Sequence, residues 1–137
     1  MKSITYAIVS ALLLVGIGWA AEIGIRPLHR TESYYQDKIH KIVGGQREVI
    51  TDDGTRIDIL TDKYAIEVDF AHKWYEGVGQ ASHYAVKTGK LPMVYLIIED
   101  PLNDAKYYNR CRAVCERLMI YVDGKWLPFS VQYITNK

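Results

Sequence analysis

Two short runs decide how this chain folds: Thr55-Arg56-Ile57-Asp58-Ile59-Leu60 and Tyr64-Ala65-Ile66-Glu67-Val68-Asp69-Phe70, joined by the turn Thr61-Asp62-Lys63. Both are rich in β-branched residues and both alternate apolar with polar positions, the period of a strand. In the second run Ile66, Val68 and Phe70 face one way while Glu67 and Asp69 face the other. In the first, Ile57 and Ile59 are expected to oppose Arg56, Asp58 and Leu60. A hairpin of these strands lets Asp58, Glu67 and Asp69 converge on one point. Two or three oxygens meeting there suit a hard divalent cation such as magnesium or manganese. Such an ion can activate water and stabilise charge on a phosphate in transit. The same acids could equally line a sheet face that meets solvent. The strands alone leave both readings open.

Outward from this hairpin the pattern is legible on both sides. Thr31 is a good N-cap for a helix over residues 31–43, closed by Gly44-Gly45. Residues 46–51 are β-prone, and Asp52-Asp53-Gly54 is a hairpin turn signal. After Phe70 a helix is expected over residues 74–88, with Val78, Ala81 and Ala85 on its apolar face and Gly89 as its stop. Residues 93–98 are almost wholly apolar, the mark of a strand buried on both faces. A helix over about residues 103–118 follows, then strands at 120–122 and 126–134 around an Asp123-Gly124 turn. The expected order is α-β-β-β-α-β-α-β-β, an α/β domain over residues 31–137 without repeats or an internal boundary.

At this point the chain resembles the PD-(D/E)xK nuclease superfamily, the restriction-endonuclease-like fold. Its core is a helix, a three-stranded antiparallel meander, a helix and a further strand; here an added helix and C-terminal strands would follow. The resemblance covers about residues 31–100 and rests on short motifs. The family's acidic pair falls on Asp58 and Glu67, implying metal ligands there. Gln80 and Tyr84 reproduce the glutamine-x-x-x-tyrosine motif of the exonuclease-like branch, one helical turn apart and pointing the same way. Glu32 matches an additional acid on the first helix, with Gln36 one turn further on and Glu48 as a competitor for that role.

The sequence departs from the family at one position. A lysine is expected two residues after the glutamate, where this chain has Asp69. Lys73 could reach back to replace it, with His72 a weaker substitute, and Asp69 could become a third metal ligand. The resemblance thus implies a magnesium- or manganese-dependent phosphodiesterase acting on DNA or RNA. In that reading Asp58, Glu67 and Asp69 are metal ligands, and Lys73, Gln80, Glu32 and Tyr84 are catalytic. The alternative is an inactive interaction or nucleic-acid-binding module on the same fold. Members of this fold often dimerise.

The remaining features bound the answer. With 49% hydrophobic and 24% charged residues, the 137-residue chain has globular composition and room for one core. A net charge of +1 supplies no global basic field, so any nucleic-acid contact must be local. Residues 4–21 carry no charge and Gly18-Trp19-Ala20 suits a signal peptidase, so residues 1–21 read as a signal peptide or a membrane anchor. Residues 22–30, with Pro27, would form a linker. Export to the periplasm or medium after cleavage and retention at the inner membrane both follow from that segment. Cys111 and Cys115, four apart on a helix, are expected as buried thiols rather than a disulfide. The four histidines show no ligand spacing, and there is no Walker loop, serine elbow or dinucleotide fingerprint.

Overall fold

A computed structural model describes residues 29–137. The expected leader and most of the linker lie outside the described residues. Among the described residues no helix is long and apolar enough to cross a membrane.

The helices are α1 (Glu32–Val43), α2 (Trp74–Thr88) and α3 (Pro101–Cys115). The strands are β1 (Gln46–Ile50), β2 (Arg56–Leu60), β3 (Tyr64–Phe70), β4 (Leu91–Ile98), β5 (Met119–Val122), β6 (Lys125–Pro128) and β7 (Ser130–Thr135). Five strands form a mixed sheet in the order β1-β2-β3-β4-β7. The first three pair antiparallel, whereas β3–β4 and β4–β7 are parallel. The apolar strand β4 is buried on both faces, as its composition requires. Val94, Leu96 and Ile98 meet α2 and α3 on one side. Met93 and Ile97 meet Tyr35 and Ile39 of α1 on the other.

Local chemistry sets the helix ends. The Thr31 side chain accepts from the Tyr34 N–H, and α1 stops at Gly44. α3 starts two residues earlier than expected because Asp100 caps the Leu102 and Asn103 N–H groups, with Pro101 at the first helical position. It also ends earlier, at Cys115, and the two thiols are buried and free, 3.9 Å apart.

Two expectations need correction. The expected strand over residues 126–134 is two strands. β6 pairs only with β5 in a separate hairpin, and β7 begins after Pro128-Phe129 to join β4. Proline has no N–H for a continuing ladder, so the chain changes sheets there. The alternation in β2 also breaks at Asp58. Ile59 packs with Ile66 under α1, but Ile57 packs with Ala65 and Tyr84 under α2. The position opposite, between the pairs Arg47–Ile59 and Val49–Ile57, is Glu48, which has φ +56°. A left-handed residue inside a strand turns the face that follows it, at a backbone cost of about 1–3 kcal/mol.

Since β4 holds both layers together, Leu96→Ala should lower unfolding free energy by about 2–5 kcal/mol in a denaturant titration. A loss below about 1 kcal/mol would mean that β4 is not the packed centre.

Candidate active site

The meander, the start of α1 and one side of α2 enclose an open cleft of about 680 Å³. All seven residues expected at a site line it: Glu32, Asp58, Glu67, Asp69, Lys73, Gln80 and Tyr84. They come from five different elements, so only the folded topology brings them together.

Three of the acids form the floor. Asp58, Glu67 and Asp69 are 5%, 5% and 3% exposed. Only two residue pairs, Ile59–Ile66 and Leu60–Ala65, register β2 against β3. Beyond them the Asp58 carboxylate accepts the Val68 N–H at 2.8 Å. One oxygen of Asp58 therefore serves the fold. Glu67 is less well provided for: its Oε2 is buried and has no hydrogen-bond partner among the described residues. Asp69 accepts the Phe70 N–H at 2.8 Å, and Lys73 Nζ lies 3.9 Å from it.

Burial raises the pKa of all three. Desolvation, then the neighbouring charge of Asp58, pushes Glu67 up to about 9. Desolvation raises Asp69 to about 6 against the opposing pull of Lys73. Asp58 is raised by burial despite the Val68 hydrogen bond. At the rim Glu32 is raised too, by burial and then by Asp58.

The walls hold the remaining groups. Gln36, buried under α1, donates to Glu32 at 3.3 Å and accepts from Arg47 of β1 at 3.2 Å, which fixes Glu32 over the floor. Lys73 ends the 3-10 turn between β3 and α2, is half exposed and lines the cleft. Tyr84 is buried, and its hydroxyl donates to the Arg56 carbonyl at 2.7 Å, tying α2 to the strand that carries Asp58. The Gln80 carboxamide oxygen lies 3.2 Å from the same hydroxyl. Gly77 lets α2 sit directly on the acids: a methyl there would meet Val94 at 3.2 Å and Asp69 at 3.7 Å.

Other expected participants stay outside. Glu48 is exposed, pairs with Arg56 at 3.0 Å and does not line the cleft. His72 is exposed and stacks on Phe70, so of the two expected cations only Lys73 lines the cleft. Sequence reasoning did not single out Arg56, Glu76 or His83, all of which line the cleft. Glu76 was within reach, since Lys73, Glu76, Gln80 and Tyr84 share one helical stripe. His83 was not, because its partner Asp53, at 2.9 Å, arrives only when the β1–β2 turn folds back on α2.

The cleft is electronegative: Glu32, Asp58, Glu67, Asp69 and Glu76 face only Arg56 and Lys73 as permanent cations. A divalent cation suits the donor types, because the buried Glu67 oxygen has unused acceptor capacity and five carboxyl groups line the cleft against two permanent cations. As the side chains stand, no three His, Cys, Asp or Glu groups among the described residues form a ready ligand cage. Binding would therefore require the carboxylates to draw together.

The metal-free protein should lose stability with rising pH. Glu67 has its folded pKa above its ordinary value of 4.5, so folding favours its protonated form. Its stabilising contribution is complete below about 4.5 and is lost as pH rises through about 9. Glu67→Gln should flatten this slope and raise the Tm at pH 8 by about 5 °C, read by calorimetry with chelator present. A variant melting below wild type at pH 8 would show that the Glu67 charge is compensated. No protein-family model, curated protein or solved structure matches the chain.

Proposed function

We propose that this chain is a divalent-metal-dependent phosphodiesterase acting on nucleic acid, with a restriction-endonuclease-like core. The observation that carries the reading is three buried carboxylates facing one cleft, with one buried oxygen left without a partner among the described residues. Burying charge without compensation costs several kcal/mol, and a purely structural role would be met by amides or apolar groups. The α-β-β-β-α-β order and the co-location of Gln80 and Tyr84 with the acids support the same reading.

Asp58 and Glu67 would hold magnesium or manganese, with Asp69 as a third acid. The ion would lower the pKa of a bound water and offset charge on the phosphate. The chain's own groups do the rest. Lys73 supplies the cation for the phosphoryl oxygens, taking the place of the lysine that Asp69 displaces. Gln80 orients the water or a phosphate through its carboxamide, and Glu32, held by Gln36, accepts a proton at the rim. Tyr84 positions both Gln80 and the Asp58 strand.

A second reading is a catalytically inactive interaction module on the same fold. It is favoured by Asp69 in the lysine position and by the absence of a preformed ligand cage among the described residues.

The two separate in a cleavage assay on labelled single- and double-stranded DNA and RNA with manganese. Asp58→Asn keeps an acceptor for the Val68 N–H, so the fold should survive while cleavage falls about a thousandfold. Lys73→Ala should cost about a hundredfold. Absence of cleavage by the wild-type chain, or full activity in Asp58→Asn, would remove the phosphodiesterase reading.

A further inference from the structure

The β5–β6 hairpin stands apart from the main sheet and turns an apolar face to solvent. In register, Met119 opposes Pro128 and Tyr121 opposes Trp126. These four residues make up the outward face, while Ile120 and Leu127 turn inward. Tyr121 and Trp126 are 59% and 62% exposed, with ring centroids 4.9 Å apart. Two adjacent exposed rings on a short hairpin form a platform that only a partner would dry.

The charge beside the platform identifies that partner. Lys106, Arg110 and Arg117 recur on one stripe of α3 and just beyond its end, and Arg117 lines the shallow groove with Met119 and Trp126. Lys106 and Arg110 lie 4.9 and 5.8 Å from the Tyr107 ring centroid. Among the described residues none of these cations, nor Lys125 at the hairpin turn, is in an ion pair; the one ion pair on α3 joins Arg112 to Glu116. The cleft, by contrast, is lined with acids. Exposed cations without an ion pair along α3, ending with Arg117 in the groove beside Trp126, suit a chain of phosphates carrying flat bases.

An anionic bilayer offers similar charge, but the geometry disfavours it. The tip of the hairpin is Asp123-Gly124-Lys125, so its most protruding residues are polar. The hairpin precedes Ser130, which pairs with Met93 near the start of β4.

We propose that the outward face of the β5–β6 hairpin and the Lys106–Arg117 stripe of α3 form a binding track for single-stranded nucleic acid. Tyr121 and Trp126 stack on bases, and Arg110 and Arg117 contact phosphates. This track does not depend on metal in the cleft, so it stands whether or not the cleft cleaves.

The test is fluorescence polarisation of a labelled oligodeoxythymidine with the full chain, in chelator. Tyr121→Ala with Trp126→Ala should weaken binding about tenfold or more. Arg110→Glu with Arg117→Glu, on the exposed helix surface, should weaken it comparably and flatten its salt dependence. Lys41→Glu, exposed on α1 across the sheet from the track, should leave it unchanged. Three results would overturn the track: no strand binding by wild type, wild-type binding by both track variants, or an equal loss in Lys41→Glu. Loss in Trp126→Ala of sedimentation with phosphatidylserine vesicles, or of a dimer in light scattering, without loss of strand binding would reassign the face to a bilayer or a second copy.

Discussion

The structure depends on keeping three carboxylates dry at one place. Asp58, Glu67 and Asp69 are each nearly inaccessible, and among the described residues one oxygen of Glu67 has no partner. A group of this kind either protonates or waits for a cation. The raised pKa values of Glu67 and Asp69 are the first outcome, expressed in the protein without metal. The cleft's architecture follows from the same constraint. The Asp58 carboxylate replaces a ladder bond to Val68, so an acid of the cleft is also a strand-pairing element.

That dual duty explains the distortions nearby. The β1–β2 pair changes face at Glu48 and Asp58, and Glu48 takes a left-handed backbone to allow it. Strain of this kind persists when surrounding contacts over-determine it. Here they include the Tyr84 hydroxyl on the Arg56 carbonyl and the Asp53 carboxylate, which accepts from Thr51 at 2.6 Å, from Thr55 at 2.7 Å and from Lys87 at 3.2 Å. Those bonds pin the hairpin turn to α2 and close one end of the cleft.

Much of this could be read in the sequence. The period-two run of β3, the apolar run of β4 and the caps at Thr31 and Gly89 give elements close to those observed, because each is governed by local pattern. The site acids were legible for the same reason: Glu67 and Asp69 share a strand face, and Gln80 and Tyr84 share a helix face. What local pattern could not carry was anything set by distant contact. The face change at Asp58 depends on Glu48 across the hairpin. The switch of sheets after Pro128 depends on β4 offering a free edge to β7. The Gln36–Arg47 support for Glu32 and the approach of His83 to Asp53 require two elements to meet.

If the buried carboxylates are a cation site, a divalent ion binds there and nowhere else. Calorimetric titration of manganese into the full chain tests it most directly, with wild type against Asp58→Ala combined with Glu67→Ala. Wild type should bind with release of protons at neutral pH, since Glu67 must ionise to bind, and the double variant should not bind. Equal heats from both proteins, or none from either at millimolar metal, would contradict it and leave the acids as an unexplained feature of the fold.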